Sequence, residues 1–150
     1  MWLTRRTDYA TRAVLALALT GDGRAVKVHE LAELTATPAS ILEQVMPQLR
    51  NAGVVRSERG PAGGYRLNHR PEDITLERVV RVFEGPLAPI ACATRNEPEP
   101  CPMEVGCTLR STWAEVRDAT IAILERTTFA DLAARAGGRW RDAAQPVRPG

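Results

Sequence analysis

Apolar residues recur with a helical period in three stretches of the first fifty residues. The first stretch predicts a helix from about Thr7 to Thr20, which stops at a glycine-rich turn. The second is short and turns Leu31 and Leu34 inward, and the third follows a tight turn with Thr37 as its expected N-cap. Two short helices joined by a tight turn predict a helix–turn–helix. The third helix directs five side chains toward the core: Ile41, Leu42, Val45, Met46 and Leu49.

A β-hairpin is expected directly after these helices. Strand-like residues at 54–56 and 65–67 flank a tip that is rich in glycine and proline. The tip lacks the Gly-Lys-Ser/Thr of a phosphate-binding loop, which argues against nucleotide binding. Residues 1–70 therefore predict a winged helix–turn–helix, and the fold as a whole is expected to be mainly α with a small β-wing.

The second part of the chain, residues 71–134, predicts a long helix behind an irregular loop. Thr75 is positioned to cap a helix that runs to Glu84, and Thr128 with Asp131 resembles a capping box for a last short helix. The long helix repeats at intervals of four and three residues, which is typical of a coiled coil and predicts dimerisation; packing on its own domain is the alternative. Its repeating positions are Leu109, Trp113, Val116, Thr120 and Ile123. The remaining residues, 135–150, predict a disordered tail because Gly, Pro and Arg dominate them.

Charge is unevenly distributed along the 150 residues. Residues 1–70 hold ten basic and six acidic side chains, a net charge of +4, whereas the remainder holds ten and twelve, a net charge of −2. The N-terminal half is therefore the candidate partner of a polyanion. The apolar run near the N-terminus has seven residues, and a bilayer span needs about 20, so neither a membrane span nor a signal peptide is expected.

Cys92, Cys101 and Cys107 lie in one proline-rich loop, separated by eight and five residues, and the chain has no other cysteine. Without a secretory signal, a reducing cytoplasm is expected, where clustered cysteines bind metal or do redox chemistry. Structural zinc usually takes ligand pairs two to four residues apart, and the loop has no such pair. The wider spacing favours an iron–sulfur cluster, while zinc and redox or structural cysteines stay open. His29 and His69 lie outside the loop, so no nucleophile–base pair indicates an enzyme.

Several motifs together resemble the bacterial iron–sulfur transcriptional regulators that include IscR, NsrR and RirA. These motifs are Leu3-Thr4, Tyr9-Ala10, Leu42-Glu43-Gln44, the run from Leu49 to Val55, Arg59-Gly60-x-x-Gly63-Gly64-Tyr65, the cysteine loop and the run from Thr128 to Leu132. The resemblance covers about residues 1–134 and implies a homodimer on a palindromic operator in double-stranded DNA. It also implies one iron–sulfur cluster per subunit, with the three cysteines as ligands and with 4Fe–4S favoured over 2Fe–2S.

The resemblance leaves the fourth cluster ligand to be identified. Members like IscR have a histidine three residues after the third cysteine, but that position is Arg110 here. Members like NsrR imply an aspartate ligand from the partner subunit, at a position that Asp8 matches. The cysteine spacing is closer to that of RirA, so the two subfamily signals conflict. The other interpretation of Asp8 is an acid that stabilises the first turn of its helix and pairs with Arg12.

Residues expected to read DNA lie on the third helix and on the wing. The N-terminal part of the third helix should enter the major groove, where Gln44 can read adenine and Glu43 can accept from cytosine. Pro47 is expected to kink this helix or end it early, which affects Gln48. Arg59 is expected to enter a narrow minor groove. The full set is Ser40, Glu43, Gln44, Gln48, Arg50, Arg59, Gly60, Gly63, Gly64 and Tyr65.

Together these features predict a DNA-binding transcriptional regulator, in its simplest form a repressor. It would sense iron status, nitric oxide or redox stress through the iron–sulfur cluster. The alternative is a winged-helix DNA-binding protein without a cluster, whose cysteines are inert or hold zinc. An enzyme is not expected.

Overall fold

The computed structural model describes residues 3–137 and contains six α-helices and one β-hairpin in that range. The helices are α1 (Arg5–Thr20), α2 (Val28–Thr35), α3 (Ala39–Asn51), α4 (Leu76–Glu84), α5 (Leu109–Arg126) and α6 (Phe129–Ala136). The hairpin strands are β1 (Val55–Glu58) and β2 (Gly64–Leu67). The predicted architecture, mainly α with a small β-wing, is therefore confirmed. The predicted tail, 135–150, overlaps the end of α6, and residues 138–150 lie outside the described residues.

Threonine side chains cap three of the helices. The Thr4 hydroxyl accepts from the Thr7 N–H at the start of α1. Thr75 caps α4, and Thr128 forms a reciprocal capping box with Asp131 at α6, as the sequence predicts. Each cap satisfies a backbone N–H that the first turn of a helix leaves without a partner in the helix.

Helix α3 departs from two sequence predictions. Thr37 does not cap it, because Pro38 occupies that position and the buried Thr37 hydroxyl donates to the carbonyl of Thr35. Pro47 does not end it, since the helix continues to Asn51. A proline removes one N–H donor, but the burial of one whole face holds the helix on the core across that gap. The fully buried side chains of this face are Leu42, Val45, Met46 and Leu49.

The main hydrophobic core includes residues from both halves of the chain. Besides side chains of α1 to α3, it takes in Ile74 and Val79, and Phe129 enters it from α6 as the largest fully buried side chain. An antiparallel bridge between Thr75 and Thr128 holds the start of α6 beside the start of α4, and the Phe129 N–H donates to the Ile74 carbonyl at 3.0 Å. A second, smaller cluster joins α4 to α5 through Val80, Leu87 and Ile121. In the described range, no helix has the length and apolarity that crossing a membrane requires.

The wing is anchored to the helical core through Val26. Strands β1 and β2 pair antiparallel, with Val55 opposite Leu67, and Tyr65 exchanges two backbone hydrogen bonds of 2.8 Å with Val26. Gly64 lies beside this bridge with a φ of +146°, where a Cβ would lie 2.4 Å from the Val26 carbonyl oxygen. Glycine is therefore required at this position, because any side chain would push the two backbones apart.

Replacing Gly64 with alanine is expected to destabilise the protein by about 3 kcal/mol or more, since it combines a strained φ with an overpacked contact. Gly60→Ala is the matched control, because Gly60 also has a positive φ, +100°, yet no described atom lies within 4 Å of its Cβ position. The control should cost only about 1–2 kcal/mol. Urea unfolding followed by circular dichroism measures both losses. Equal losses would show that the close approach to Val26 is not the cause.

Candidate nucleic-acid interface and metal centre

The exposed face of α3 carries side chains that were predicted to read DNA. Ser40, Glu43 and Gln44 are exposed at positions i, i+3 and i+4, so they share the face opposite the buried residues. Gln48 is only half-exposed, and its amide donates to the Gln44 carbonyl at 3.0 Å. Arg50 is exposed near the end of the helix. The polar surface of α3 is thus formed by its first half, and Gln48 is drawn back onto the backbone of its own helix.

The predicted wing motif, residues 59–65, contains both exposed and packed residues. Arg59 and Gly60 are exposed. Gly63 is buried, and a Cβ there would lie 2.4 Å from a backbone carbonyl oxygen of β1. Gly64 and the half-buried Tyr65 hold the strand bridge described above. Packing therefore accounts for the last three positions of the motif, whereas Arg59 presents its charge to solvent.

The cysteines lie on the loop that connects α4 to α5, residues 85–108, here called the cysteine loop. Cys92 belongs to a single 3-10 turn, Ala91–Ala93, and the Cys101 carbonyl accepts from the Glu104 N–H at 3.0 Å. All three thiols are free and half-buried. Within residues 3–137, no three His, Cys, Asp or Glu side chains are arranged to hold a metal ion. The structure thus provides three donors on one loop without bringing them to a common centre.

The donor set of the cysteine loop fits an iron–sulfur cluster chemically. Thiolates are the soft ligands that such clusters require, and none of the three is consumed by a disulfide. The loop is anchored on α5 near Cys92, where Arg117 donates to the Ala93 carbonyl and Asp118 binds both Arg117 and Arg95 at 2.9 Å. These two guanidinium groups, Arg117 first, lower the pKa of the Asp118 carboxyl. The other two cysteines lie beyond this anchor, on a part of the loop without helix or strand.

Asp8 lies in the first turn of α1 and is half-exposed. Its carboxylate pairs with Arg12 one turn along, with an Nη2–Oδ2 distance of 2.6 Å and an Nε–Oδ1 distance of 3.2 Å. The Arg12 guanidinium also lies 5.7 Å from the centre of the Tyr9 ring, within the range of a cation–π contact. The ion pair expected from the sequence is present, and the predicted role of Asp8 as a cluster ligand stays a prediction.

Helix α5 carries an exposed apolar stripe, Leu109, Val116 and Ile123, spaced seven residues apart. These side chains are 62%, 43% and 50% exposed, whereas Ile121 on the neighbouring face is buried against α4. The intervening Trp113 is half-buried. Packing of α5 on its own domain thus accounts for the Ile121 face, whereas the three stripe residues belong to neither hydrophobic cluster of the described chain.

A model of the Rrf2 family, described as an iron-dependent transcriptional regulator, matches residues 3–135. The chain belongs to the Rrf2 family. The Rrf2 protein of Nitratidesulfovibrio vulgaris is 36% identical over 132 residues, which are 88% of this chain and 87% of that protein. The transcriptional repressor NsrR of Streptomyces coelicolor is 32% identical over 92% of both chains. The structure of CymR, the global cysteine regulator of Bacillus subtilis, superposes with a TM-score of 0.78 at 31% identity, over 90% of this chain and 98% of that chain.

Membership of the Rrf2 family confirms the resemblance that the sequence motifs indicate. It also confirms that the chain is a transcriptional regulator and not an enzyme, because its relatives NsrR and CymR are named as regulators. The family does not specify one signal, since CymR is a cysteine regulator. The residues of this chain that bear on its signal are therefore those of its own cysteine loop.

Glu84 forms a long-range contact in this Rrf2 chain that the sequence pattern did not predict. The half-buried carboxylate at the end of α4 accepts from the Thr4 N–H and the Thr4 hydroxyl, each at 2.8 Å, and from the Thr7 hydroxyl. It therefore ties the residue before the cysteine loop to the first turn of α1, which carries Asp8. The partners are about 80 residues apart in sequence, so no local pattern could have indicated them. The Thr7 hydroxyl, followed by the Thr4 groups, holds the pKa of Glu84 below its ordinary value.

Glu84→Gln is expected to lower the free energy of unfolding by about 1–2 kcal/mol at neutral pH, because a charge-assisted acceptor becomes a neutral one. Since the folded pKa of Glu84 is lowered, its stabilisation is complete above the ordinary value of 4.5 and is lost as the pH falls through the folded value. The difference between parent and variant should thus shrink on acidification. Urea unfolding at neutral pH and at about pH 3.5 measures it. Glu125→Gln, on the exposed end of α5, is the control.

Proposed function

We propose that the protein is a homodimeric Rrf2 regulator, in its simplest form a repressor, that binds a palindromic DNA operator. Each subunit would hold one iron–sulfur cluster on its cysteine loop, 4Fe–4S in preference to 2Fe–2S, and report iron status, nitric oxide or redox stress. The observation that carries the proposal is the presence of three free, half-buried thiols on one loop beside a winged helix–turn–helix. The proposed compartment is the cytoplasm.

The proposed DNA contacts follow from which side chains are exposed. Ser40, Glu43 and Gln44 form the polar face of α3 that would enter the major groove, and the exposed Arg59 would enter the neighbouring minor groove. A single winged helix offers one such face and a net charge of +4 over residues 1–70, which is modest for a polyanion partner. Two copies double both the charge and the number of reading helices. The apolar stripe on α5 supports the dimer that would provide them.

Contacts within the chain support a route from the cysteine loop to α3. Glu84 binds the first turn of α1 just before the loop begins, and α1 packs directly against α3. A shift of the loop would therefore reach the reading helix through two packed contacts. Bound there, an iron–sulfur cluster would supply a centre that reacts with oxygen and nitric oxide. A change of about 1.4 kcal/mol in α3 positioning would alter operator affinity tenfold.

The Asp8–Arg12 pair gives opposite expectations for two variants. If Asp8 ligates the cluster of the partner subunit, it must leave Arg12 to do so. Asp8→Ala should then make the cluster more labile to chelators, whereas Arg12→Ala should make it less labile by freeing the carboxylate. Loss of visible absorbance under a chelator measures both, and the iron content of the unchallenged protein is the baseline. If both variants release iron at the parent rate, Asp8 is only a helix-end charge.

The test of the proposed function is anaerobic purification followed by absorption spectroscopy and counts of iron and acid-labile sulfide. We expect a coloured protein with about four irons and four sulfides per subunit, consistent with a 4Fe–4S cluster. Operator binding is then compared between loaded and cluster-free protein at one salt concentration, because phosphate contacts make affinity strongly salt-dependent. A colourless protein that binds DNA equally with or without added iron and sulfide would favour the cluster-free alternative.

A further inference from the structure

A cavity of about 640 Å³ lies between α4, α5 and the first part of the cysteine loop. Its apolar floor is formed by Leu87 and Ile121, which belong to the smaller hydrophobic cluster. Ala91 and Thr94, which flank Cys92 in sequence, also line it. The volume is within the range of small-molecule sites, roughly 300–1,000 Å³. An occupant would therefore touch the turn that carries the first cysteine.

Three arginines line the cavity, and two of them are held in place. Arg117 from α5 and Arg95 from the loop are joined through the shared carboxylate of Asp118, with N–O distances of 2.9 Å. Arg95 donates to Asp118 through its Nε and Nη2. This contact fixes the guanidinium plane and leaves Nη1 to bind another group. Arg81 of α4 pairs with Glu77 through its Nε. Its two Nη groups form no salt bridge within the described range, so they can bind an occupant of the cavity. Guanidinium groups of this kind suit a carboxylate.

The same cavity is lined by two carboxylates, Glu97 and Glu99. Both are exposed, and neither forms a salt bridge with any residue in the described range. Three arginines and two glutamates give the lining a charge of only +1, and Asp118 offsets that. A polyanion such as a nucleotide triphosphate therefore finds no net attraction here, whereas a molecule that carries both charges can pair with both.

We propose that this cavity binds a small zwitterion, an amino acid or a short peptide, as an effector of the regulator. Its carboxylate would pair with Arg81 and Arg95, and its ammonium group with Glu97 and Glu99. Its side chain would cover Leu87 and Ile121. Because the occupant bridges the cysteine loop to α4 and α5, it would restrain the turn at Cys92.

The proposal is tested by calorimetric titration of the full-length protein with each of the twenty standard L-amino acids and with glycyl-L-leucine, up to about 10 mM. We expect at least one probe to bind, and its N-acetyl and carboxamide derivatives to bind at least about tenfold more weakly, since each lacks one charge. The Glu97→Gln/Glu99→Gln variant should weaken the parent probe but leave the N-acetyl derivative unaffected. Arg95→Gln should weaken the parent probe but leave the carboxamide unaffected.

Two controls separate this site from the cluster and from general charge effects. Glu125→Gln/Arg126→Gln changes the same kinds of charge at the far end of α5, outside the cavity, and should bind like the parent. Cys92→Ser should retain binding even where it loses iron, so failure of the cluster proposal would not affect this result. Absence of heat for all twenty-one probes would overturn the proposal. An N-acetyl derivative that binds as tightly as its parent would overturn it too, because the ammonium pairing would then be wrong.

Discussion

Replacing Val116 and Ile123 with glutamate is expected to convert the protein into a folded monomer. Both side chains are about half-exposed on the stripe of α5, and they belong to neither of the two hydrophobic clusters. Four like charges across two facing helices would oppose the apolar contact and repel each other. The winged helix should stay folded, because its core is formed elsewhere. Operator affinity should fall by about a thousandfold toward non-specific binding, since a monomer keeps one reading helix.

Sedimentation velocity reports the oligomeric state of this variant, and a fluorescence titration with an operator duplex reports its affinity. Ser111→Glu/Ala122→Glu is the matched control, because it adds the same charge at exposed positions on the other side of α5. The control should remain dimeric. A Val116→Glu/Ile123→Glu variant that sediments with the parent would refute the stripe as the subunit interface. A parent that is itself monomeric at micromolar concentration would refute the dimer.

Cys92→Ser, Cys101→Ser and Cys107→Ser are each expected to abolish cluster binding while the protein stays folded. A serine hydroxyl is a hard, weakly acidic ligand and replaces a thiolate poorly at iron. The three thiols lie outside both hydrophobic clusters, so circular dichroism and the thermal midpoint should change little. Iron content and visible absorbance should fall to the background of the apo-protein in each variant.

The matched control for the cysteine series is Val105→Ser, which introduces the same side chain in the same loop. Val105 is 98% exposed and has no ligand atom, so this variant should keep its iron. If one cysteine variant retained full iron and absorbance, that cysteine would have no role as a ligand. If all three did so, the iron–sulfur proposal would fail, and the loop would be better explained by zinc or by inert thiols.

The local parts of this fold were predictable because their causes are local. Caps at Thr75 and Thr128 depend on residues three positions away, and both predictions are confirmed. The prediction that Thr37 caps α3 is wrong, and α3 does not end at Pro47, because the packing of α3 on the core outweighs the preferences of single residues. Propensity is a weak guide wherever one face of a helix is fully buried.

The candidate site was predictable only where motif and chemistry coincide. The three cysteines and the polar face of α3 follow from the sequence, but the contact of Glu84 with the start of α1 joins residues that no sequence window contains together. Likewise, the glycine pattern of the wing could be interpreted as a DNA contact, although Gly63 and Gly64 are explained by backbone approach. Both features depend on contacts between distant parts of the chain, which the periodicity of hydrophobic residues does not predict.

The return of α6 to the main core limits how this protein can be divided or recombined. Phe129 and Ile74 complete the core of the winged helix from beyond residue 70, and the Thr75–Thr128 bridge joins the two ends of the segment that carries the cysteines. The cysteine segment is therefore an insertion closed at its base. Grafting the loop and α5 of another family member in place of residues 85–126 would keep Ile74, Val79 and Phe129 in the main core. A chimera joined at residue 70 would instead have to match a foreign Phe129 to this α1.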